Sequence, residues 1–427
     1  MKIGIIGAGI SGMSVARLLK DCFEVEILEK ETFVGGIART KDVNGVAYHV
    51  VGGHCFNSIY PDVLDFVFNE VLQKDYWNLI ERKAKALFRN QWISYPVEFA
   101  IPEIDKIDSF LGMKIVQEML NASYEKGSNL EEWFINHFGP TLSREYFLPY
   151  NEKIWGINPK EMDNSWIIDE KQMKLPVPTK INFYKSLISN SENIFDNMPH
   201  AFYYYPKTNN QNTFIEALSV GLNIIYSYEV ECIEYCNQKW YINGEKQYDI
   251  LINTSPLDLI PNILQNIPND IINSFKKLKF NKISNMLWET DGSFDSTWAY
   301  VPNKDIGFHR LLNIGTYFRP IKNYCITESV GEKTYEHFVE EGKKVDFLKK
   351  PIDFHVSERA YIRFDLNYVL SKTTTLKYLE SIGLISHGRF AEWEYYNMDV
   401  CIKRSIDLAK KIKSEFYYYD KYSSLWW

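Results

Sequence analysis

The residues best placed to do chemistry lie at the start of the chain. Gly7, Gly9 and Gly12 are spaced as Gly-x-Gly-x-x-Gly, with Ser11 inside the run, and Glu29 stands further on. That set suits a dinucleotide. Gly7 allows a tight turn, Gly9 lets backbone approach a pyrophosphate, and Gly12 permits close helix–strand packing. The acidic Glu29 would accept hydrogen bonds from ribose hydroxyls. A second chemical cluster is His49-Val-Val-Gly52-Gly53-His54, in which two imidazoles flank a glycine pair that suits close approach to a ligand.

These residues need elements to hold them. Lys2–Ile6 is a short apolar run, Met13 to Lys20 has helical apolar spacing, and Glu24–Leu28 alternates as a strand that ends at Glu29. The opening is therefore strand, glycine turn, helix, strand, and the helix N-terminus offers free N–H groups to phosphate. Tyr248 to Pro256 is expected to be a buried-type strand with a turn at its end. The stretch before it, from Leu222, alternates in short segments broken by Asn243-Gly244, as a β meander does. Residues 60–195 have a mostly helical pattern. Thr, Tyr, Val, Ile and Phe in short runs from about 270 to 365 predict an antiparallel sheet, and Met398 to Lys413 predicts a one-faced helix.

Composition narrows the function. With 427 residues, 45% hydrophobic and 24% charged, the chain has ordinary globular composition, and its size predicts two or three domains or one elaborated domain. A net charge of −7, with 48 basic residues dispersed among 55 acidic ones, argues against a nucleic-acid partner. The apolar opening is threaded with Gly7, Gly9, Ser11, Gly12, Ser14 and Arg17, so neither a signal peptide nor a membrane span is expected, and the location expected is cytoplasmic. The six cysteines are scattered and the eight histidines make no ligand set of usual spacing, so no metal site is expected. Aromatic content is high at 15%, with 29 Tyr, 26 Phe and 11 Trp, more than a core of this size obviously needs.

The segment Val34-Gly35-Gly36-Ile-Ala-Arg39-Thr40, taken with the glycine run, resembles the N-terminal signature of the FAD-binding superfamily that includes amine oxidases, protoporphyrinogen oxidase and UDP-galactopyranose mutase. Further blocks resemble the mutases. His49 to Phe56 looks like their HxxGxHxFH segment, with Gly53 where Pro is frequent and Asn57 at the last His. Gln91 to Val97 resembles their tyrosine- and proline-containing strand. Phe147-Leu-Pro-Tyr150-Asn-Glu-Lys153-Ile-Trp155-Gly156 resembles FxxYTxKxWG, and Gly388-Arg389 to Asp399 resembles GRxAxYxYxDMD. Two features depart from the pattern. Asn397 stands at the first Asp of that last block, and Lys174-Leu-Pro-Val-Pro178 lacks the arginine expected after it, leaving Lys174 or Lys180 as cations. Tyr205-Pro206-Lys207 and Thr297-Trp-Ala-Tyr300 are similar instead to protoporphyrinogen-oxidase-like members.

The resemblance implies an α/β fold: a Rossmann-like FAD-binding domain with a helical insertion and an antiparallel-sheet substrate domain. The expected FAD-binding domain is discontinuous, over 1–60, 196–265 and 385–413. A mostly helical substrate or lid domain would occupy 61–195, an antiparallel-sheet substrate domain 266–384, and a tail 414–427. The cofactor contacts implied are Gly7, Gly9, Ser11, Gly12, Glu29, Gly35, Gly36, Arg39, His49, Gly53, His54, Val230, Gly388, Asn397 and Met398. The activity implied is a nucleotide-sugar mutase, of use in polysaccharide biosynthesis, that interconverts pyranose and furanose forms through a reduced-flavin N5–sugar adduct with no net redox change. NAD(P)H would be a possible reductant, and a homo-oligomer is compatible with this reading. Catalysis would fall to His54, Arg310 and Arg389, and substrate binding to Tyr150, Trp155, Arg310, Arg389 and Tyr395. The alternative is an FAD-dependent oxidoreductase of the amine oxidase or protoporphyrinogen oxidase type.

Overall fold

The computed structural model describes residues 1–168, 187 and 201–417. The Lys174–Pro178 stretch and Lys180 lie outside the described residues, as does most of the C-terminal tail. The chain opens with β1 (Lys2–Ile6), α1 (Ile10–Leu19) and β2 (Glu24–Leu28). β1 pairs in parallel with β2 on one side and with the strand Ile250–Asn253 on the other. Short strands at Ile224–Ile225 and Ile385–Ser386 complete a five-stranded parallel sheet. Its strands are buried apolar runs because both faces are covered. α1 buries Ile10, Met13, Val15, Ala16 and Leu19, and packs beside the helix Met398–Ile412, which buries Ile402, Ile406, Ala409 and Ile412.

A three-stranded antiparallel meander (Ile233–Cys236, Lys239–Ile242, Lys246–Tyr248) leads into the Ile250–Asn253 strand, as the alternation from Leu222 predicts. The second large sheet has seven strands and is mostly antiparallel. Its long members are Phe280–Thr290, Tyr324–Val330 and Leu348–Ile362. Two further members, Ala84–Phe88 and Gln91–Ser94, come from the stretch whose pattern is mostly helical. They form a hairpin whose two turn residues, Arg89 and Asn90, both have positive φ (46° and 63°). This is the backbone of a tight two-residue hairpin loop, built here without the glycine that would have announced it.

Helices at Ile101–Ile107, Ser109–Leu120, Leu130–Leu142 and Leu148–Trp155 follow. Asp108 and Asn129 cap two of them by accepting from the backbone N–H groups of Leu111 and Glu132. Much of the aromatic surplus is packed here and beside the parallel sheet. Phe147 lies 4.8 Å from Phe134 and 4.4 Å from Phe138, ring centre to ring centre. Phe56, Phe68, Trp77, Tyr204 and Phe214 make a second such cluster.

Candidate functional site

A cavity of about 890 Å³ is lined both by the glycine turn after β1 and by the open face of the seven-stranded sheet. Such a volume is at the upper end of the roughly 300–1,000 Å³ usual for small-molecule sites. At the first end the chain leaves β1 through Gly7, at φ +98°. A Cβ on Gly12 would lie 2.1 Å from the Gly7 carbonyl oxygen, so only glycine lets α1 approach β1 this closely. A Cβ on Gly9 would meet nothing within 4 Å, which leaves its backbone open toward the cavity. No side chain caps α1, so the N–H groups of its first turn are available there.

The Glu29 carboxylate accepts from the backbone N–H groups of Ala8 (2.6 Å) and Glu31 (3.0 Å). It keeps lone pairs for hydroxyl donors in the cavity it lines. Gly35 and Gly36, at φ +108° and +53°, bring the chain back across Ala8, whose carbonyl accepts from the Gly35 N–H. The Arg39 guanidinium rests on the Phe33 ring, 4.2 Å from its centre. Tyr228, Glu229 and Val230 line the same end. The helix Met398–Ile412 brings a second N-terminus, at Asn397, with no side-chain cap of its own. This cradle of glycines, helix N-termini and one carboxylate fits a dinucleotide.

At the other end, strand register sets the charges. Arg310 lies opposite Tyr300 on one neighbouring strand and Glu328 on the other. Its guanidinium pairs with Glu328 and donates to the Tyr361 hydroxyl (2.6 Å), while its plane lies 4.9 Å from the Trp298 ring centre. Glu328 also accepts from the Gly52 backbone N–H at 2.7 Å and meets His309 Nε2 at 3.1 Å. Burial alone would raise the Glu328 carboxyl, but the Arg310 charge and the hydrogen bonds from His309 and Gly52 hold it down at about 2. Burial opposes the charge of Arg310, and the adjacent Glu328 reverses this, keeping Arg310 well above its usual value.

Arg389 donates to the carbonyls of Tyr396 (3.1 Å) and Ala360 (3.4 Å), and lies over the Tyr395 ring at 4.4 Å. Its Nε is buried and meets no acceptor among the described residues. His54 sits between these groups. Burial, with the charges of Arg389 and Arg310, pushes its imidazole down to about 3, so it is neutral at ordinary pH. The site therefore presents two guanidinium groups, a neutral imidazole and several aromatic rings beside a dinucleotide cradle.

An NAD(P)-binding Rossmann-like domain family matches residues 5–69. The chain is 23% identical over 419 residues to the dTDP-fucopyranose mutase of Escherichia coli, covering 96% of this chain and 97% of that one. A probable UDP-galactopyranose mutase of Klebsiella pneumoniae is 27% identical over 174 residues, covering 38% and 43% of the two chains. Among solved structures, reduced UDP-galactopyranose mutase superposes with a TM-score of 0.79 at 19% identity, over 97% of this chain and 94% of that one. The chain shares the fold of that mutase structure. A putative protoporphyrinogen oxidase from Exiguobacterium sp. 255-15 shares the fold more distantly, with a TM-score of 0.73 at 14% identity over 97% and 99% of the chains.

Most of the residues expected at the site do line the cavity: Gly7, Gly9, Ser11, Glu29, Gly35, Gly36, Arg39, Gly53, His54, Val230, Arg310, Arg389, Tyr395, Asn397 and Met398. Five do not. Gly12 is a packing glycine, and Gly388, at φ +96°, leaves room for Ser11, whose Oγ would lie 2.3 Å from an added Cβ. His49 is fully buried behind His54, 6.0 Å between ring centres, with Tyr205 on its other side. Tyr150 and Trp155 are the other two that do not line the cavity. Tyr150 packs edge-on against Tyr300 at 5.4 Å, and Trp155 against Tyr395 at 5.9 Å. Both therefore touch rings, Tyr300 and Tyr395, that do line the cavity.

Sequence reasoning missed Arg82, Tyr203, Glu358 and Tyr361, all on the cavity, and Glu328 behind Arg310. Trp298 and Tyr300 are on it too, within the segment noted for a different resemblance. No local signal marks Arg82, which falls between the strands Trp77–Glu81 and Ala84–Phe88.

Proposed function

We propose that the chain is a flavin-dependent nucleotide-sugar mutase, interconverting pyranose and furanose forms of a sugar attached to a nucleoside diphosphate. The observation that carries this reading is one cavity that joins a dinucleotide cradle to a chamber of arginines and aromatic rings. The near full-length relationship to a dTDP-fucopyranose mutase supports it. FAD is the cofactor assigned. Its pyrophosphate would be held by the Gly7–Gly12 turn and the N-termini of the two helices, its ribose by Glu29, its adenine beside Val230, and the rest by Gly35, Gly36, Arg39, Gly53, Asn397 and Met398. The segments carrying these contacts form the discontinuous cofactor domain proposed for the chain. Reduced flavin, when bound, supplies a nucleophilic N5, which makes an exchange without net redox change chemically accessible.

The protein's own part is to hold a departing diphosphate and keep the sugar close. Arg310 and Arg389 supply guanidinium forks for phosphate oxygens. Glu328 fixes the orientation of Arg310, leaving its remaining N–H groups for ligand. Tyr395, stacked under Arg389 and braced by Trp155, walls the sugar side and excludes water. His54, neutral and close to both arginines, would donate or accept a hydrogen bond without adding charge.

The test is to purify the FAD-loaded protein, reduce it with dithionite or NAD(P)H, and screen UDP-, dTDP- and GDP-sugars for furanose product. A mutase is silent until reduced and consumes no electron acceptor. Turnover of the oxidised form with stoichiometric acceptor consumption would establish an oxidoreductase instead.

A further inference from the structure

Arg82 lines the cavity and holds its charge among neutral side chains. Its Nη2 donates to the Tyr300 hydroxyl at 2.5 Å, and its guanidinium lies 5.8 Å from the Tyr95 ring centre and 5.6 Å from that of Trp298. The other groups close to it are the hydroxyls of Tyr203 and Tyr317 and the Cys55 thiol. Burial pushes the Tyr95, Tyr203 and Tyr317 hydroxyls above their ordinary value and the Cys55 thiol up to about 12, so none of them supplies negative charge at neutral pH. Among the described residues, no carboxylate pairs with Arg82.

The contrast within the same cavity is direct. Arg310 is matched by Glu328, and Arg359 by Asp258 through both Nε and Nη2. Arg310 and Arg82 both lie near the Trp298 ring, at 4.9 Å and 5.6 Å from its centre. One of them is neutralised and the other is not. A partly buried guanidinium with only neutral acceptors pays desolvation without a counter-charge, and an anionic ligand group restores the balance.

We propose that Arg82 is a specificity-determining residue that receives an anionic group of the nucleotide sugar; this rests on the function proposed above. Two sources offer that chemistry, the diphosphate that every nucleotide sugar carries and a carboxylate on the sugar ring. The planar fork of arginine binds either in bidentate fashion.

The experiment is calorimetric titration of the FAD-loaded wild type, Arg82→Gln and Arg82→Lys with UDP, UDP-galactose, UDP-galacturonic acid and inorganic pyrophosphate. FAD content and melting temperature serve as folding controls. Weakening of roughly 10-fold or more for the uronic acid alone assigns Arg82 to a sugar carboxylate, whereas equal weakening for UDP and both nucleotide sugars assigns it to the diphosphate. Arg82→Lys keeps the charge without the fork and falls between wild type and Arg82→Gln; it carries the test where the glutamine variant does not fold. Unchanged binding of all four probes overturns the proposal. If wild type binds no nucleotide sugar, the mutase reading falls by itself. Arg82 is then judged on pyrophosphate: binding lost in Arg82→Gln supports an anion site, and binding unchanged or absent overturns it.

Discussion

Arg310 and Glu328 are direct cross-strand neighbours whose side chains pair in the interior, and the same carboxylate accepts the Gly52 N–H. One buried ion pair thus ties the sheet that carries an expected substrate contact to the glycine segment that carries His54. Removing the carboxylate leaves a buried guanidinium without its partner, a loss of about 3–5 kcal/mol for pairs of this kind. Glu328→Gln is expected to lower the unfolding free energy at pH 7 by that order and the melting temperature with it. Because the folded carboxyl lies at about 2, against an ordinary 4.5, its stabilisation is complete above pH 4.5 and is lost as pH falls toward 2. Thermal melts from pH 7 to pH 3 should therefore show the wild type converging on the variant.

Glu98 has the opposite sign. It is fully buried, neither carboxyl oxygen meets a hydrogen-bond partner among the described residues, and burial pushes its carboxyl up to about 8. The folded protein holds a proton there that the unfolded chain gives up, so stability falls as pH rises from about 4.5 to 8, by about 3 kcal/mol at pH 7. Glu98→Gln should match wild type near pH 4.5 and exceed it at pH 8. Equal denaturant midpoints at pH 8 would refute this.

The two glycines of the turn separate packing from ligand approach. Gly12→Ala forces a Cβ against the Gly7 carbonyl at 2.1 Å and is expected to unfold or severely destabilise the parallel-sheet region. Gly9→Ala meets no protein atom within 4 Å, so its melting temperature without cofactor should stay near wild type while FAD affinity falls roughly 10-fold or more. Flavin absorbance of the purified proteins, with melts of the cofactor-free forms, checks both.

His54 should not titrate near neutrality. With its imidazole pushed down to about 3 by burial and two arginines, its nitrogen chemical shifts are expected to be flat between pH 5 and 8. Any pH dependence of activity in that window must then come from another group. A His54 titration midpoint near 6.5 in the nuclear magnetic resonance spectrum would contradict the burial described.

The opening β1, α1, β2 unit and its glycine turn were legible because each residue does its work within a few positions of its neighbours. Gly7 bends, Gly12 packs on Gly7, and Glu29 reaches back only to Ala8. The meander before Ile250–Asn253 and the helix Met398–Ile412 were legible for the same reason, through local alternation and one-faced spacing. Gln91–Ser94 was legible only through resemblance, and its hairpin partner Ala84–Phe88 was not, since Ala, Lys and Leu favour helix and the turn residues Arg89 and Asn90 carry no hairpin signature.

The sequence by itself determined the glycine turn with its flanking strands and helix, and pointed to Arg310, Arg389 and Tyr395 through resemblance. Tertiary structure decided which of them touch the cavity. It packed Tyr150 against Tyr300 and Trp155 against Tyr395, placed Glu328 on the strand next to Arg310, and brought Arg82 to Trp298 from the link between two strands far off in sequence. Layer order and cross-strand register decide these positions. Both are set by packing between different segments of the chain, 18 residues apart for Arg310 and Glu328 and far more for the other pairs, where no local spacing records them.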